Sequence, residues 1–229
     1  MVGLVTSRLL SCLLLCAIAC IPLHAHALPS LTLEASPHRV NGKLPGRTTL
    51  TVSVSGLKDG DPDRLLAAFH FELLYDPTFL QLGGGPGGYG SALGSPALGQ
   101  AIVSTTFSDA GSRKAIAFSE VSLLEADPSD CAFCAGPLLS SLQSDSFELV
   151  RLTMLTLPQA IFPGPNGTGN LTTFVVVRDI DFGNQRGDPI ALQSRLASVS
   201  VTFVQEPPIW ALLLGALLVP ATFRRLYAR

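Results

Sequence analysis

The chain has 229 residues, of which 47% are hydrophobic and only 14% charged, and its net charge is −2. That charged fraction is well below the roughly 25% usual for a soluble protein. With no basic field to attract a phosphate backbone, nucleic acid is not an expected partner. The length suits one or two domains with enough chain for a two-layer core.

The N-terminus reads MVGLVTSRLLSCLLLCAIACIPLHAHALPS. Arg8 is followed by an apolar run from Leu9 to Leu23, broken at Pro22, and then by Ala25-His26-Ala27. This is the charged, apolar and small-residue order of a secretory signal, so residues 1–27 are expected to be a signal helix cleaved after Ala27. The alternatives are a retained anchor or buried helix, and a lipoprotein signal lipidated at Cys20.

Residues 28–204 read as strands. LTLEA (31–35) alternates, and TTLTVSVSGL (48–57) places Leu50, Val52 and Val54 on one face. Asp59, Asp61 and Asp63 in DGDPD have the spacing of the first calcium ligands of an EF-hand, but Arg64 and His70 stand where glycine and glutamate are required. A solvated turn is the expectation there, with calcium as the alternative. LAAFHFELLY (66–75) sets Phe69, Phe71 and Leu73 opposite His70, Glu72 and Leu74. AIVSTTF, KAIAFSEVSLL, FELVRLTMLTL, NLTTFVVV and ASVSVTFV follow, each with the period-2 pattern of a strand. The glycine-rich stretch 83–99 and IFPGPNGTGN (161–170) are expected as long loops, as is RDIDFGNQRGDP (178–189). Neither glycine run has the strand-to-helix setting of a phosphate loop. The pattern predicts an all-β, antiparallel sandwich with one solvated face per sheet.

In FHFELLYDPTFL an aromatic-rich strand runs into Tyr75, Asp76 and Pro77, with Leu80 three residues on. Asp76 bonds its local backbone and Pro77 fixes φ, so a turn is expected, with Leu80 returning to the core. This motif and the strand order after it resemble cohesin-like domains across nearly the whole of 28–204. The resemblance implies a jelly-roll β-sandwich of the kind shared by cellulosomal cohesins and several carbohydrate-binding modules. It brings no dockerin surface with it, since fold alone does not fix function.

Chemistry-bearing motifs are sparse. Cys131 and Cys134 in CAFC are the cysteines that remain after the signal. In an oxidising compartment a local disulfide is expected, with a redox or other envelope enzyme using the pair as the alternative. Two ligands do not make a structural zinc site. His70 has no serine or cysteine motif near it in sequence, G-x-S-x-G is absent, and an enzyme is not expected. Trp210 lies in the tail, and Tyr89 in the glycine stretch is the exposed aromatic candidate for sugar stacking.

The C-terminal residues are VQEPPIWALLLGALLVPATFRRLYAR. Pro207 to Phe223 is uncharged and as a helix would reach about 25 Å, at the short end of a membrane span. Trp210 falls near one end, and Arg224 and Arg225 follow the other, which places the arginines in the cytoplasm and the body outside. Glu206-Pro207, an apolar helix and a terminal arginine cluster resemble the PEP-CTERM sorting signal of Gram-negative bacteria, with Gln205 where that family has its first proline. The resemblance implies an exosortase as a partner and processing near Glu206-Pro207.

Together these readings predict a signal at 1–27, a β-sandwich at 28–204 and a sorting signal at 205–229 with a transmembrane helix at 207–223. The expected protein is exported, anchored in the inner membrane, then released to the envelope or extracellular matrix. It would serve a non-enzymatic adhesive, structural or recognition role toward exopolysaccharide or another surface protein, and needs no cofactor unless calcium binds.

Overall fold

In TTLTVSVS every second residue is apolar or β-branched, so a strand built from it buries one row and wets the other. The computed structural model bears this out: Leu50, Val52 and Val54 are wholly buried on a strand spanning Arg47–Ser55. The structure describes residues 28–37, 39–41, 46–57, 62–85, 87–126, 136–157 and 171–204.

Among the described residues eleven strands form two packed sheets. The first contains β1 (Ser30–Ser36), β3 (Arg47–Ser55), β9 (Ser146–Thr156) and β5 (Leu80–Leu82) in that order, with β6 (Gly88–Tyr89) also on β9. The second runs β2 (Arg39–Asn41), β11 (Ala197–Val204), β10 (Leu171–Gly183), β4 (Ala68–Tyr75), β8 (Arg113–Ser122) and β7 (Ala101–Ala110). Pairing is antiparallel except between β2 and β11, which run parallel, so the expectation of a wholly antiparallel sandwich is corrected at that edge. Between the sheets lie Leu50, Val52, Phe71, Leu73, Phe118, Leu152, Met154, Val175 and Phe203. The rings of Phe71 and Phe118 lie 5.5 Å apart, as do those of Phe69 and Phe71. A smaller cluster of Leu65, Ala67, Ala126 and Leu139 sits under the short helix α1 (Leu139–Leu142), a helix the strand pattern did not announce. Beside it the buried Gln143 amide accepts from Leu66 N–H at 2.9 Å and donates to Leu66 C=O at 2.5 Å, closing a backbone pair that no strand reaches.

The Tyr75–Leu80 turn is as expected. Asp76 accepts from Thr78 N–H through Oδ1 at 2.9 Å and from Leu80 N–H through its carbonyl at 3.0 Å, and Leu80 is wholly buried.

Two loop expectations are overturned. Residues 178–183 are not loop: β10 continues through them to Gly183. Its pairing with β4 shifts between Arg178 and Asp181, so Asp179 and Ile180 together oppose one residue. Asp179 adopts φ 51°, the left-handed conformation that starts such a bulge. The extra residue buries Ile180 and leaves Asp181 on the outer face. In the glycine stretch, Gly88 and Tyr89 pair with Arg151 and Val150, and Gly90 N–H donates to Leu149 C=O at 2.8 Å. A Cβ on Gly90 would stand 2.0 Å from the Glu148 carbonyl oxygen. Close approach of two backbones, not chain freedom, is what requires glycine there.

A second bulge explains a surface ion pair. The β3–β9 register shifts at Leu149, so Glu148 and Arg151 share the outer face although residues three apart on a regular strand do not. Their side chains form an ion pair through Glu148 Oε2.

Among the described residues no helix is long and apolar enough to cross a membrane. The expected signal (1–27), Asp59, Asp61, Cys131, Cys134, Gln205, Glu206, Pro207, the span 207–223, Arg224 and Arg225 lie outside the described residues.

A candidate binding face on the second sheet

The outer face of β10, β4, β8 and β7 is ordered in rows by strand register. Arg178, Glu72, Ala117 and Thr106 form one row. Asp181, His70, Ser119 and Ser104 form the next, and Gly183, Ala68, Val121 and Ile102 the one after. On β8 and β7 the outward residues are small or short apart from Ile102 and Val121, so this half of the sheet is a flat surface. Leu74 and Ala115, one row further along, are buried.

Four polar side chains on this face, Arg178, Glu72, His70 and Ser119, are already held. Arg178 donates to Glu72 Oε2 through Nε at 3.2 Å and Nη2 at 2.9 Å. Its Nε also lies 3.1 Å from Asp179 Oδ2, so the bulge carboxylate helps fix the guanidinium. His70 Nδ1 and Ser119 Oγ are 2.8 Å apart. Ser119 was missed as a neighbour of His70 because 49 residues separate them and only the β4–β8 register brings them together. Asp181 flanks His70 on the other side. This row resembles a Ser-His-Asp set only in composition. The histidine engages the serine through Nδ1, the nitrogen that the orienting carboxylate would need. The surrounding backbone N–H groups belong to the sheet ladder and form no oxyanion pocket.

Beside the row lies a shallow groove of about 420 Å³ lined by His70, Ser119, Val121, Asp181, Phe182 and Pro189. At its margin Ile102 and Val121 sit directly opposite each other across β7 and β8, 60% and 46% exposed. Leu123, also exposed, extends the apolar strip. The face thus joins a dry patch to the bonded His70–Ser119 pair.

The larger cavity, about 560 Å³, opens where β5 faces the far end of β7 and β8, and Tyr75, Gln81, Phe107, Asp109 and Lys114 are among its walls. Lys114 Nζ is 3.6 Å from Asp109 Oδ1. Burial, and then the charge of Asp109, raise the Tyr75 phenol above its ordinary value.

Other sequence expectations are placed as follows. Tyr89 is not an exposed sugar platform: its ring packs against Phe69 and Phe118, and its hydroxyl donates to Ser104 C=O at 2.5 Å with Thr105 Oγ1 at 2.8 Å. Its phenol is raised, chiefly by burial. The exposed aromatic rings among the described residues are instead Phe107 and Phe174. Asp63 lies in a 3-10 turn (Pro62–Arg64), where Arg186 Nη1 stands 2.7 Å from its Oδ1, so it is held by a cation of the chain itself. No cluster of metal-ligating side chains occurs among the described residues. Glu120 is the buried group that strand reading passed over. It shares the inward phase of Ile116 and Phe118, is 1% exposed, and its Oε1 has no partner among the described residues. Burial pushes its carboxyl up to about 8.

No family model and no curated protein matches the chain. Solved structures do. A chain of a type I cohesin–dockerin complex from Clostridium thermocellum superposes with a TM-score of 0.52 at 13% identity, covering 78% of this chain and 96% of that one. A type II cohesin domain from the cellulosome of Acetivibrio cellulolyticus gives 0.51 at 12% identity, covering 77% and 95%. At such identities the likeness is one of fold, and in fold this chain is similar to the cohesin modules.

Proposed function

We propose that the chain is an exported, non-enzymatic recognition module that binds another protein through the outer face of β10, β4, β8 and β7. The observation that carries this reading is the face itself. It is flat, its Arg178–Glu72 and His70–Ser119 pairs are fixed by mutual bonding, and Ile102 and Val121 leave an apolar strip at its margin. Pre-organised polar groups beside a dry patch lower the ordering cost of association, which favours a protein surface as the ligand. The similar solved structures include a cohesin–dockerin complex, which agrees with a protein partner. The termini supply the address: the secretory pattern at 1–27 and the PEP-CTERM-like order of Glu206-Pro207, apolar run and Arg224-Arg225 support export, membrane anchoring and exosortase processing.

The test is retention of envelope and matrix proteins from the producing cells on immobilised protein, with Ala117→Arg and Val121→Asp on the face and Thr32→Arg on the other sheet. A protein retained by the parent and by Thr32→Arg, but lost with both face variants, is the expected result. Equal retention by all, or retention of polysaccharide only, refutes the assignment.

A further inference from the structure

β7 is the long edge strand of this sandwich, and it lacks the devices that keep edges apart. Its pairing with β8 is unbroken from Ala101↔Ser122 to Ala110↔Arg113. It contains no proline, lysine or arginine, and Asp109 is its one charge. Other edges are blunted: β2 and β5 are three residues each, and β1 carries Glu34 and ends at Pro37. An unbulged strand of ten residues without such protection is a template for another strand.

Hairpin geometry says which groups face outward. Ala110 and Arg113 flank a two-residue loop in which Gly111 adopts φ 69°. Residues closing such a loop form a hydrogen-bonded pair, so the even-numbered residues of β7 turn N–H and C=O toward β8. Leu123 N–H donating to Gln100 C=O at 2.8 Å keeps the same phase at the other end. The N–H and C=O of Val103, Thr105 and Phe107 therefore point away from the sheet, and among the described residues no backbone group meets them. Phe107 is 59% exposed although its register with Ile116 puts it on the core side. Tyr89 covers Thr105, but beside Phe107 the larger cavity stands open.

We propose that this edge pairs with β7 of a second copy of the chain, antiparallel about a twofold axis at Thr105, joining two six-stranded sheets into one. The strand is self-complementary in that register. Thr105 meets Thr105, each Val103 meets the other copy's Phe107, and each Asp109 meets Ala101, so no like charges oppose. A shift of the axis to residue 106 sets Asp109 against Val103 and loses both apolar pairs. Cross-strand aromatic–β-branched and Thr–Thr pairs are favourable, and one patch serving both copies is the usual form of a closed dimer. The second copy covers Phe107 and satisfies the free backbone groups together.

Cysteine cross-linking of the full chain in membranes of the producing cells tests this. Hydrogen-bonded partners lie about 5.5 Å apart at Cα, within disulfide reach. Under mild oxidation Thr105→Cys should give a dimer band absent from the parent. Val103→Cys and Phe107→Cys should each give little alone and a dimer when co-expressed. Adding Phe107→Lys to Thr105→Cys should abolish the band while circular dichroism stays that of the parent. A monomeric Thr105→Cys chain of native fold, equal bands from single and mixed variants, or an adduct with a different protein overturns the proposal. The last outcome would assign the edge to a foreign extended peptide. Ala117→Arg, on the outer face, should leave the band intact, so failure here is separable from failure of the binding-face reading.

Discussion

Glu120 makes the protein lose stability as pH rises through neutrality. Its carboxyl titrates at about 8 when folded, against 4.5 for the free group, because burial between the sheets disfavours its charge. Between those values the unfolded chain has released this proton while the folded chain still holds it. Folding then binds a proton, and stability falls with pH. The contribution is fully present below about pH 4.5 and lost as pH climbs through about 8. At about 1.4 kcal/mol per unit, with curvature near each end, roughly 2.5 kcal/mol disappears between pH 5 and pH 7. With a urea slope of about 2 kcal/mol/M, the midpoint should drop by about 1.2 M. Glu120→Leu fills the same space without a titrating group or the unpartnered Oε1. Urea unfolding followed by far-UV circular dichroism should show a steep fall for the parent and a much flatter line for the variant. Parallel lines for the two proteins, or a parent midpoint that rises over this range, would refute the reasoning.

Leu80→Ala should cost about 2–5 kcal/mol by opening a cavity under the Asp76–Pro77 turn, read as a lower denaturation midpoint. Asp179→Gly should be tolerated within about 0.5 kcal/mol, whereas Asp179→Val should cost about 1–2 kcal/mol, since a β-branched residue resists the φ of 51° found there. Alkylation without reductant should leave Cys131 and Cys134 unmodified in the exported protein; full modification of both, seen by mass spectrometry, excludes the bridge. Alanine at Glu206 and Pro207 should hold the protein uncleaved in the membrane fraction of a host with the matching exosortase, and normal release would exclude the sorting role.

What the sequence disclosed was whatever period-2 alternation encodes. Leu50, Val52 and Val54, and Phe69, Phe71 and Leu73, fall inward as their spacing predicts, and the Tyr75–Leu80 turn follows from local bonding by Asp76. The end of β10 was hidden because its bulge breaks the period where two aspartates imitate a loop. β6 was hidden because two residues bracketed by glycines carry no pattern of their own. The candidate binding face was illegible for a different reason: His70, Ser119 and Asp181 come from three strands, and only strand order and register make them neighbours. Glu120 had a readable signal, a charge in the same phase as Ile116 and Phe118, which a face-by-face reading of KAIAFSEVSLL exposes.

The measurement closest to the central claim is site-specific photo-cross-linking in the producing cells, with the photoreactive residue at Ala117 on the outer face of β8 or at Thr32 on the opposite sheet. A discrete protein adduct from position 117 that is lost with Val121→Asp, and absent from position 32, is the result this account predicts. The same adducts from both positions, or none at 117 while 32 reacts, would contradict it.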